Sequence, residues 1–156
     1  MSAEKPSDTT HTPSEFYFHA CCFLEAAQLA SQHRHKQPDK GKASWNNFEG
    51  IIVGTHHAFA AELLIKGIML SKLGDFKYGH NLNKLISSAQ DKGLFSDIED
   101  DYPGGKNQFK QQLKSHAEMF VEMRYPSVTH PPTLDMDFTS YLCGALKAKL
   151  KVICGL

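Results

Sequence analysis

Polar breaks divide the chain into stretches in which apolar side chains recur at the spacing of a helix face. The first stretch follows Ser14, a suitable N-cap residue, and consists of Phe16, His19, Ala20, Phe23, Ala27 and Ala30. We expect this helix to end near Lys36, because Pro38 and Gly41 do not continue a helix.

The second stretch predicts a long helix from about residue 44 to residue 73, closed by Gly74 in the left-handed cap conformation. One face carries Phe48, Ile52, Thr55, Phe59, Leu63, Lys66 and Leu70, and the remaining surface is largely apolar as well. A helix that is apolar on nearly every side lies at the centre of a bundle or is shared with a partner chain. Histidines and charged residues interrupt it, so we interpret it as a buried helix and not as a membrane span.

The later part of the chain predicts shorter helices. A third helix is expected from Leu82 to near Gly93, followed by a brief acidic helix over residues 96–101. A fourth helix stops at residues 124–126 and is outlined by Phe109, Leu113, His116, Phe120 and Met123. A last helix is expected over residues 134–154. Because short connections favour antiparallel neighbours, we predict an all-α, antiparallel up-and-down bundle of about four to five helices.

The composition is that of an ordinary globular protein. The 156 residues are 41% hydrophobic and 22% charged, which suits one domain with a core. Residues 1–13 are rich in Ser, Thr and Pro, so we expect a disordered tail before a single domain over residues 14–156. The tail lacks the features of a signal peptide, and the four cysteines lack zinc or redox spacing. We therefore expect a cytoplasmic protein with no membrane association, whose cysteines are reduced and buried.

The charges balance, with 17 Lys and Arg against 17 Asp and Glu, so no bulk positive charge attracts nucleic acid. Local basic runs occur at residues 33–42 and at Lys147, Lys149 and Lys151, and we interpret both as helix ends that complement the helix dipole. The nine histidines show no HExxH-type spacing, and the Gly-Gly-Lys of residues 104–106 lacks the rest of a phosphate loop. We therefore expect neither a metal site nor a cofactor.

Glu62 and Lys66 are the most informative local feature of the second helix. They stand one turn apart on one face of an otherwise apolar helix. Because buried charge needs a partner, the pair is either a structural ion pair that locks the helix to its neighbour or part of a ligand pocket. At the start of the third helix, His80 or Asn81 is expected to cap backbone amides; the alternative is that His80 folds back onto Glu62.

Arg124 and His130 lie six residues apart and supply the functions that metal-independent RNA cleavage needs. Arginine holds a phosphate, and histidine exchanges protons near neutral pH. Pro126 ends the helix directly after Tyr125, however, and Pro131 follows His130, so the two side chains do not share a regular helix face. We therefore interpret Arg124 as a structural residue at a helix end, with a catalytic Arg124–His130 pair as the alternative.

The segment Ala-Phe-Ala-Ala-Glu-Leu-Leu-Ile-Lys-Gly-Ile-Met-Leu at residues 58–70, then Gly74, Gly-His-Asn-Leu at 79–82 and Lys-Leu at 84–85, resembles the HEPN (higher eukaryotes and prokaryotes nucleotide-binding) superfamily. In its members a central helix with a Glu-x-x-x-Lys-like pattern is often followed by a Gly and a His-(Asn/Asp)-Leu-x-x-Leu element. Residues 120–126, which end in Arg-Tyr-Pro, look like the end of a later helix in many such domains. The resemblance spans residues 45–126 in separate pieces.

The resemblance implies an all-α bundle that forms a homodimer through its long helices, often in a defence, toxin–antitoxin or RNA-processing context. It implies that Glu62, Lys66, His80 and Tyr125 are ligand-binding residues, with Arg124 beside them. In the nuclease branch an Arg…His pair on a late helix meets its copy across the dimer to form an RNase site. Arg124 and His130 have the spacing, and Pro126 between them departs from the pattern.

We therefore expect a non-catalytic helical domain that binds a nucleotide, RNA or a partner protein. The first alternative is a metal-independent endoribonuclease, in which His130 takes the proton from the 2′-hydroxyl and Arg124 stabilises the phosphate. The second alternative is a purely structural interaction domain.

Overall fold

The computed structural model describes residues 11–35, 42–118 and 135–156, and within these ranges every regular element is a helix. These helices are α1 (Pro13–His35), α2 (Lys42–Leu73), α3 (Leu82–Ser87), α4 (Ser96–Asp100), α5 (Gly105–Ser115) and α6 (Met136–Cys154), with a 3-10 helix at Gln90–Lys92. The predicted all-α helical bundle is therefore confirmed. The predicted tail at residues 1–13 lies almost wholly outside the described residues, and the single domain over residues 14–156 stays a prediction.

The core forms where α2 packs against α1 on one side and α6 on the other. Alanines on α2 let the neighbouring backbones approach closely, and the larger apolar side chains fill the space between them. The fully buried side chains of α2 and α6 include Ala58, Ala61, Leu64, Ile65, Ile68, Phe138, Leu142, Leu146 and Leu150. The short helices α3, α4 and α5 close the remaining side with Leu82, Ile98 and Phe109.

The apolar part of α2 is long enough to cross a membrane by length and composition alone. It covers Gly50–Leu73, with a mean hydropathy of 1.3, and 67% of its most apolar window is buried inside the fold. Burial of this kind is what a core helix needs, since its apolar face must be covered by other helices.

The start of α1 differs from the prediction that Ser14 caps it. The Glu15 amide donates to Thr12 Oγ1 over 3.2 Å, and the Thr12 amide donates to Glu15 Oε2 over 2.7 Å. This reciprocal pair is a capping box with Thr12 as the N-cap and Pro13 in the first helical position. The Thr12 amide lowers the pKa of the Glu15 carboxyl, because it stabilises the charged form.

The third helix is shorter than the prediction, which continued it to Gly93. Helix α3 ends at Ser87, and the next hydroxyl, Ser88 Oγ, donates to the Leu85 carbonyl over 2.7 Å. Bonding of a serine side chain to the backbone competes with the helical ladder. The following residues form the 3-10 helix, and Gly93 ends it with a φ of 62°.

The fourth helix also ends before the predicted position. Helix α5 stops at Ser115, and residues 116–118 form a turn, so the prediction of a helix that passes through His116 to Phe120 is wrong at His116. Two tertiary bonds explain the end: the Leu82 amide donates to the Ala117 carbonyl over 3.0 Å, and the Asp135 amide donates to His116 Nε2 over 3.0 Å. Phe120 and Met123 lie outside the described residues.

The cysteines are all free thiols, but they are not all buried as predicted. Cys143 is buried, and burial raises the pKa of its thiol to about 12, so that the thiolate is disfavoured. Cys21 and Cys154 are half-buried, and Cys22 is exposed because it lies on the outer face of α1. The prediction of buried cysteines is therefore wrong for Cys22.

Gly67 marks a close approach between α2 and its neighbours α1 and α6. A β-carbon there would lie 2.7 Å from Leu150 Cδ2 and 3.0 Å from Phe16 Cβ. We expect Gly67→Ala to lower the free energy of unfolding by about 1–3 kcal/mol, because the core must shift to admit the methyl group. Urea unfolding measures the change.

The matched control is Gly50→Ala in the same helix, where a β-carbon would meet nothing within 4 Å. This change should raise the free energy of unfolding by up to about 1 kcal/mol, through helix propensity alone. Equal stabilities of the two variants would contradict the close packing at Gly67.

His57 joins α2 to α6 and makes folding sensitive to acid. Its Nδ1 lies 3.2 Å from Thr139 Oγ1, its carbonyl accepts from the Cys143 thiol, and burial lowers its pKa. As pH falls, the imidazole of His57 is protonated at a higher pH in the unfolded state than in the folded state. Its contribution to the free energy of unfolding is therefore complete above the unfolded pKa of about 6.5 and is lost as pH falls through the lower folded pKa. We expect His57→Gln to reduce the loss of unfolding free energy below that pH, measured by urea unfolding at a series of pH values. His19→Gln, at an exposed position, is the control. If His57→Gln left the dependence of stability on pH unchanged, His57 would not be the source of the acid sensitivity.

Candidate ligand-binding site

Glu62 and Lys66 form a buried ion pair inside the bundle. Lys66 Nζ donates to Glu62 Oε1 over 2.6 Å, and the two side chains are only 11% and 8% exposed, respectively. The pair lies within the buried part of α2, since Leu64, Ile65 and Ile68 are fully buried as well. Withdrawal of two charges from water is costly, so each charge depends on the other and on further polar partners.

His80 supplies a further partner from the loop between α2 and α3. Its Nδ1 donates to Glu62 Oε2 over 2.9 Å, so that Glu62 uses both carboxylate oxygens. Gly79 precedes it with a φ of 129°, a conformation that a residue with a side chain rarely adopts, and this turns the loop back toward α2. The His80 side chain is 53% exposed, so it connects the buried pair with the surface.

Asn81, and not His80, caps α3. The Lys84 amide donates to Asn81 Oδ1 over 2.8 Å, while Asn81 Nδ2 donates to Glu118 Oε1 in the turn after α5. Together with the bond from the Leu82 amide to the Ala117 carbonyl, this contact fixes the start of α3 against the end of α5. His80 is thereby left to reach Glu62, which was the alternative prediction for this residue.

Aromatic rings border the same loop. Lys66 Nζ lies 5.8 Å from the centre of the Phe76 ring, a distance suited to a cation–π contact. The Phe76 ring in turn contacts Tyr78, with ring centres 5.6 Å apart. Tyr78 is 82% exposed and offers a flat apolar face at the surface.

Tyr78 and His80 border a surface depression, which we name the His80 pocket; Glu62, Lys66 and Phe76 lie behind His80 and Tyr78 and are not among its lining residues. The pocket measures about 750 Å³ and is lined by Lys77, Tyr78, Gly79, His80, Asn81, Lys84, Leu85, Ser87, Ser88 and Glu118. Among the described residues neither Lys77 nor Lys84 makes an ion pair, whereas Glu118 bonds to Asn81. The pocket therefore combines two available ammonium groups, the Ser87 hydroxyl, an imidazole, an exposed ring and one carboxylate, that of Glu118.

The donor set suits an anion and not a metal ion. Within residues 11–35, 42–118 and 135–156, no group of three or more His, Cys, Asp or Glu side chains is placed to hold a metal. Lysines bind phosphate as point charges, serine hydroxyls donate to phosphate oxygens, and an aromatic ring stacks on a base.

The structure brings together Glu62, Lys66 and His80 among the residues proposed from the sequence. Arg124, Tyr125 and His130 lie outside the described residues. Lys77, Tyr78 and Lys84 line the pocket but were missed, although their position beside the Gly-His-Asn-Leu element could have indicated them.

Of the two basic runs noted in the sequence, the one at Lys147, Lys149 and Lys151 does not line this pocket. The run at residues 33–42 falls largely outside the described side chains. In the other, Lys149 pairs with Asp97 on α4 over 2.5 Å, which supports a structural role for that lysine.

A family comparison agrees with this arrangement. The family model described as HEPN domain matches residues 52–140, which is more than half of the chain and includes Glu62, Lys66 and His80. The chain therefore belongs to the HEPN family. No curated protein and no solved structure matches it.

Proposed function

We propose that this HEPN domain is a non-catalytic binding module that holds a nucleotide in the His80 pocket. The observation that carries the proposal is the bond from His80 to the buried Glu62–Lys66 pair, because it fixes a half-exposed imidazole at the pocket wall. A preorganised donor reduces the entropy lost when a ligand binds.

Charge and shape support a nucleotide as the ligand. Lys77 and Lys84 supply positive charge for a phosphate, and Ser87 supplies a hydroxyl donor, whereas the Ser88 hydroxyl donates to the Leu85 carbonyl. Tyr78 provides a ring on which a base can stack, a contact worth about 1–3 kcal/mol. A pocket of about 750 Å³ lies within the usual size range for small-molecule sites.

The test is isothermal titration with ADP, adenosine and inorganic pyrophosphate. We expect ADP to bind more tightly than adenosine, and Lys77→Ala/Lys84→Ala to weaken ADP binding about tenfold or more through loss of the phosphate contacts. Lys72→Ala/Lys151→Ala removes the same charge at positions that do not line the pocket and serves as the control. Equal affinity of all three proteins for ADP, or the absence of binding, would contradict the proposal.

A homodimer is part of the same proposal. Helix α2 has 32 residues and is about 48 Å long, whereas α6 has 19 residues and is about 28 Å long. Helix α6 is therefore too short to cover the whole length of α2. Beyond α6, Ile51 and Ile52 are only partly buried, and Leu29 on α1 is 67% exposed. Light scattering should give twice the mass of 17.4 kDa at micromolar concentration, and a monomer would contradict the dimer.

A further inference from the structure

Helix α5 presents a second basic surface next to the His80 pocket. Lys106, Lys110 and Lys114 recur at every fourth position and share one face, and α5 contains no acidic residue. Lys106 is neutralised by Asp100 at 3.1 Å and by Glu99 at 3.7 Å. The positive charge that is left lies toward the other end of the helix, at Lys110 and Lys114.

A groove joins these lysines to α3. We name it the α5 groove; it measures about 240 Å³, and its polar lining consists of Asn83, Ser87, Gln90, Glu99, Lys110 and Lys114. Ser87 lines the His80 pocket as well, so the two depressions adjoin across α3. Lys84 is exposed on α3 and lines the His80 pocket.

Glu99 lies at the base of the α5 groove and limits its charge. Its side chain is 8% exposed and lies 4.0 Å from Lys110 Nζ, at the outer limit of an ion pair. Lys114 makes no ion pair with any residue in the described part of the chain. The groove therefore keeps a net positive surface that continues from Lys77 and Lys84.

We infer that the ligand is a single-stranded polynucleotide, with one nucleotide in the His80 pocket and the next phosphates over α3 against Lys110 and Lys114. This inference rests on the proposed nucleotide site and extends it. Lys77 and Lys84 line one depression, and Lys110 and Lys114 line the other, with Ser87 in the wall between them. Two adjoining pairs of lysines suit a chain of regularly spaced phosphates better than one mononucleotide. The exposed ring of Tyr78 favours nucleic acid over an acidic peptide, because bases stack on aromatic rings. Small, recessed depressions admit unpaired nucleotides and not a duplex.

The experiment is fluorescence anisotropy with labelled oligouridine and oligodeoxythymidine of two and eight nucleotides, at two salt concentrations, beside ADP titration. Lys110→Ala/Lys114→Ala should weaken binding of the eight-nucleotide strand roughly tenfold and leave ADP affinity unchanged. For this variant the slope of the logarithm of the binding constant against the logarithm of the salt concentration should become less steep by about 1.4. Each lost phosphate contact of a single strand removes about 0.7 from that slope. Lys72→Ala/Lys151→Ala is the control of equal charge. Glu99→Gln should act in the opposite direction and tighten binding of the long strand, because it removes negative charge beneath Lys110.

The outcomes separate this inference from the proposed site. If ADP binds but strand length and the α5 lysines have no effect, the strand path is wrong and the nucleotide pocket stands. If the eight-nucleotide strand binds through Lys110 and Lys114 while Lys77→Ala/Lys84→Ala has no effect, the strand path stands and the pocket assignment is wrong. If polyglutamate competes as well as the oligonucleotides do, the surface binds acidic protein and the inference is overturned. If neither nucleotide nor strand binds, both proposals fail.

Discussion

Glu62→Ala is expected to destabilise the protein by about 3–5 kcal/mol, because it leaves the Lys66 ammonium buried without its partner. Lys66 is 11% exposed and holds Glu62 at 2.6 Å, so water cannot replace the carboxylate without local opening of the bundle. The same change also removes the acceptor of His80. Chemical denaturation at neutral pH gives the free energy of unfolding.

Two variants make this expectation specific. Glu62→Leu combined with Lys66→Met should recover most of the lost stability, since an apolar pair of similar size leaves no charge to desolvate. Asp100→Ala removes one partner of the surface pair with Lys106 and should cost far less than Glu62→Ala, because water solvates both groups of that pair. If Glu62→Ala were as mild as Asp100→Ala, the ion pair would not be buried as described.

His116→Ala is expected to cost about 2–4 kcal/mol, because His116 ties α5 to the start of α6. Its Nδ1–H donates to the Gln112 carbonyl over 2.8 Å, and its Nε2 accepts from the Asp135 amide over 3.0 Å. Both partners are backbone groups of fixed polarity, so the ring must be the neutral tautomer with its proton on Nδ1. The ring also packs against Phe138, with centres 5.2 Å apart.

His56→Ala is a matched control for the local bond. His56 Nδ1 donates to the Ile52 carbonyl over 2.7 Å, four residues back, as His116 does to Gln112, but the ring accepts no backbone amide from another helix among the described residues. We expect its loss to cost less than about 1 kcal/mol. Equal costs for the two histidines would show that the bond to Asp135 contributes nothing.

The sequence predicts the architecture well because helical spacing of apolar residues is a local property. Local residues predict where α2 ends, because Gly74 takes the left-handed cap conformation, and where α3 begins, because Asn81 caps it. The prediction takes Ser14 as the N-cap, although Thr12 and Glu15, three residues apart, have the spacing of a capping box. The end of α5 was not predictable, because it depends on bonds from Leu82 and Asp135, which are distant along the chain.

In the candidate site, too, contacts between residues close in sequence could be predicted and contacts between distant residues could not. One turn of helix brings Glu62 and Lys66 together, and the sequence is sufficient to pair them. The approach of His80 depends on the path of the loop, and the contact of Asn81 with Glu118 depends on where α5 ends. Lys77 and Lys84 flank the Gly-His-Asn-Leu element in the sequence, but only the path of the loop into α3 shows that both side chains line one depression.

The proposed role as a binding module is tested most directly by incubation of the purified protein with labelled RNA in EDTA, with bound and intact RNA measured in the same samples. We expect wild-type protein to bind RNA and to leave it intact, with Arg124→Ala and His130→Ala indistinguishable from wild type in the amount of intact RNA. Cleavage by the wild type that is lost in both variants would contradict this role and establish a metal-independent ribonuclease that uses Arg124 and His130.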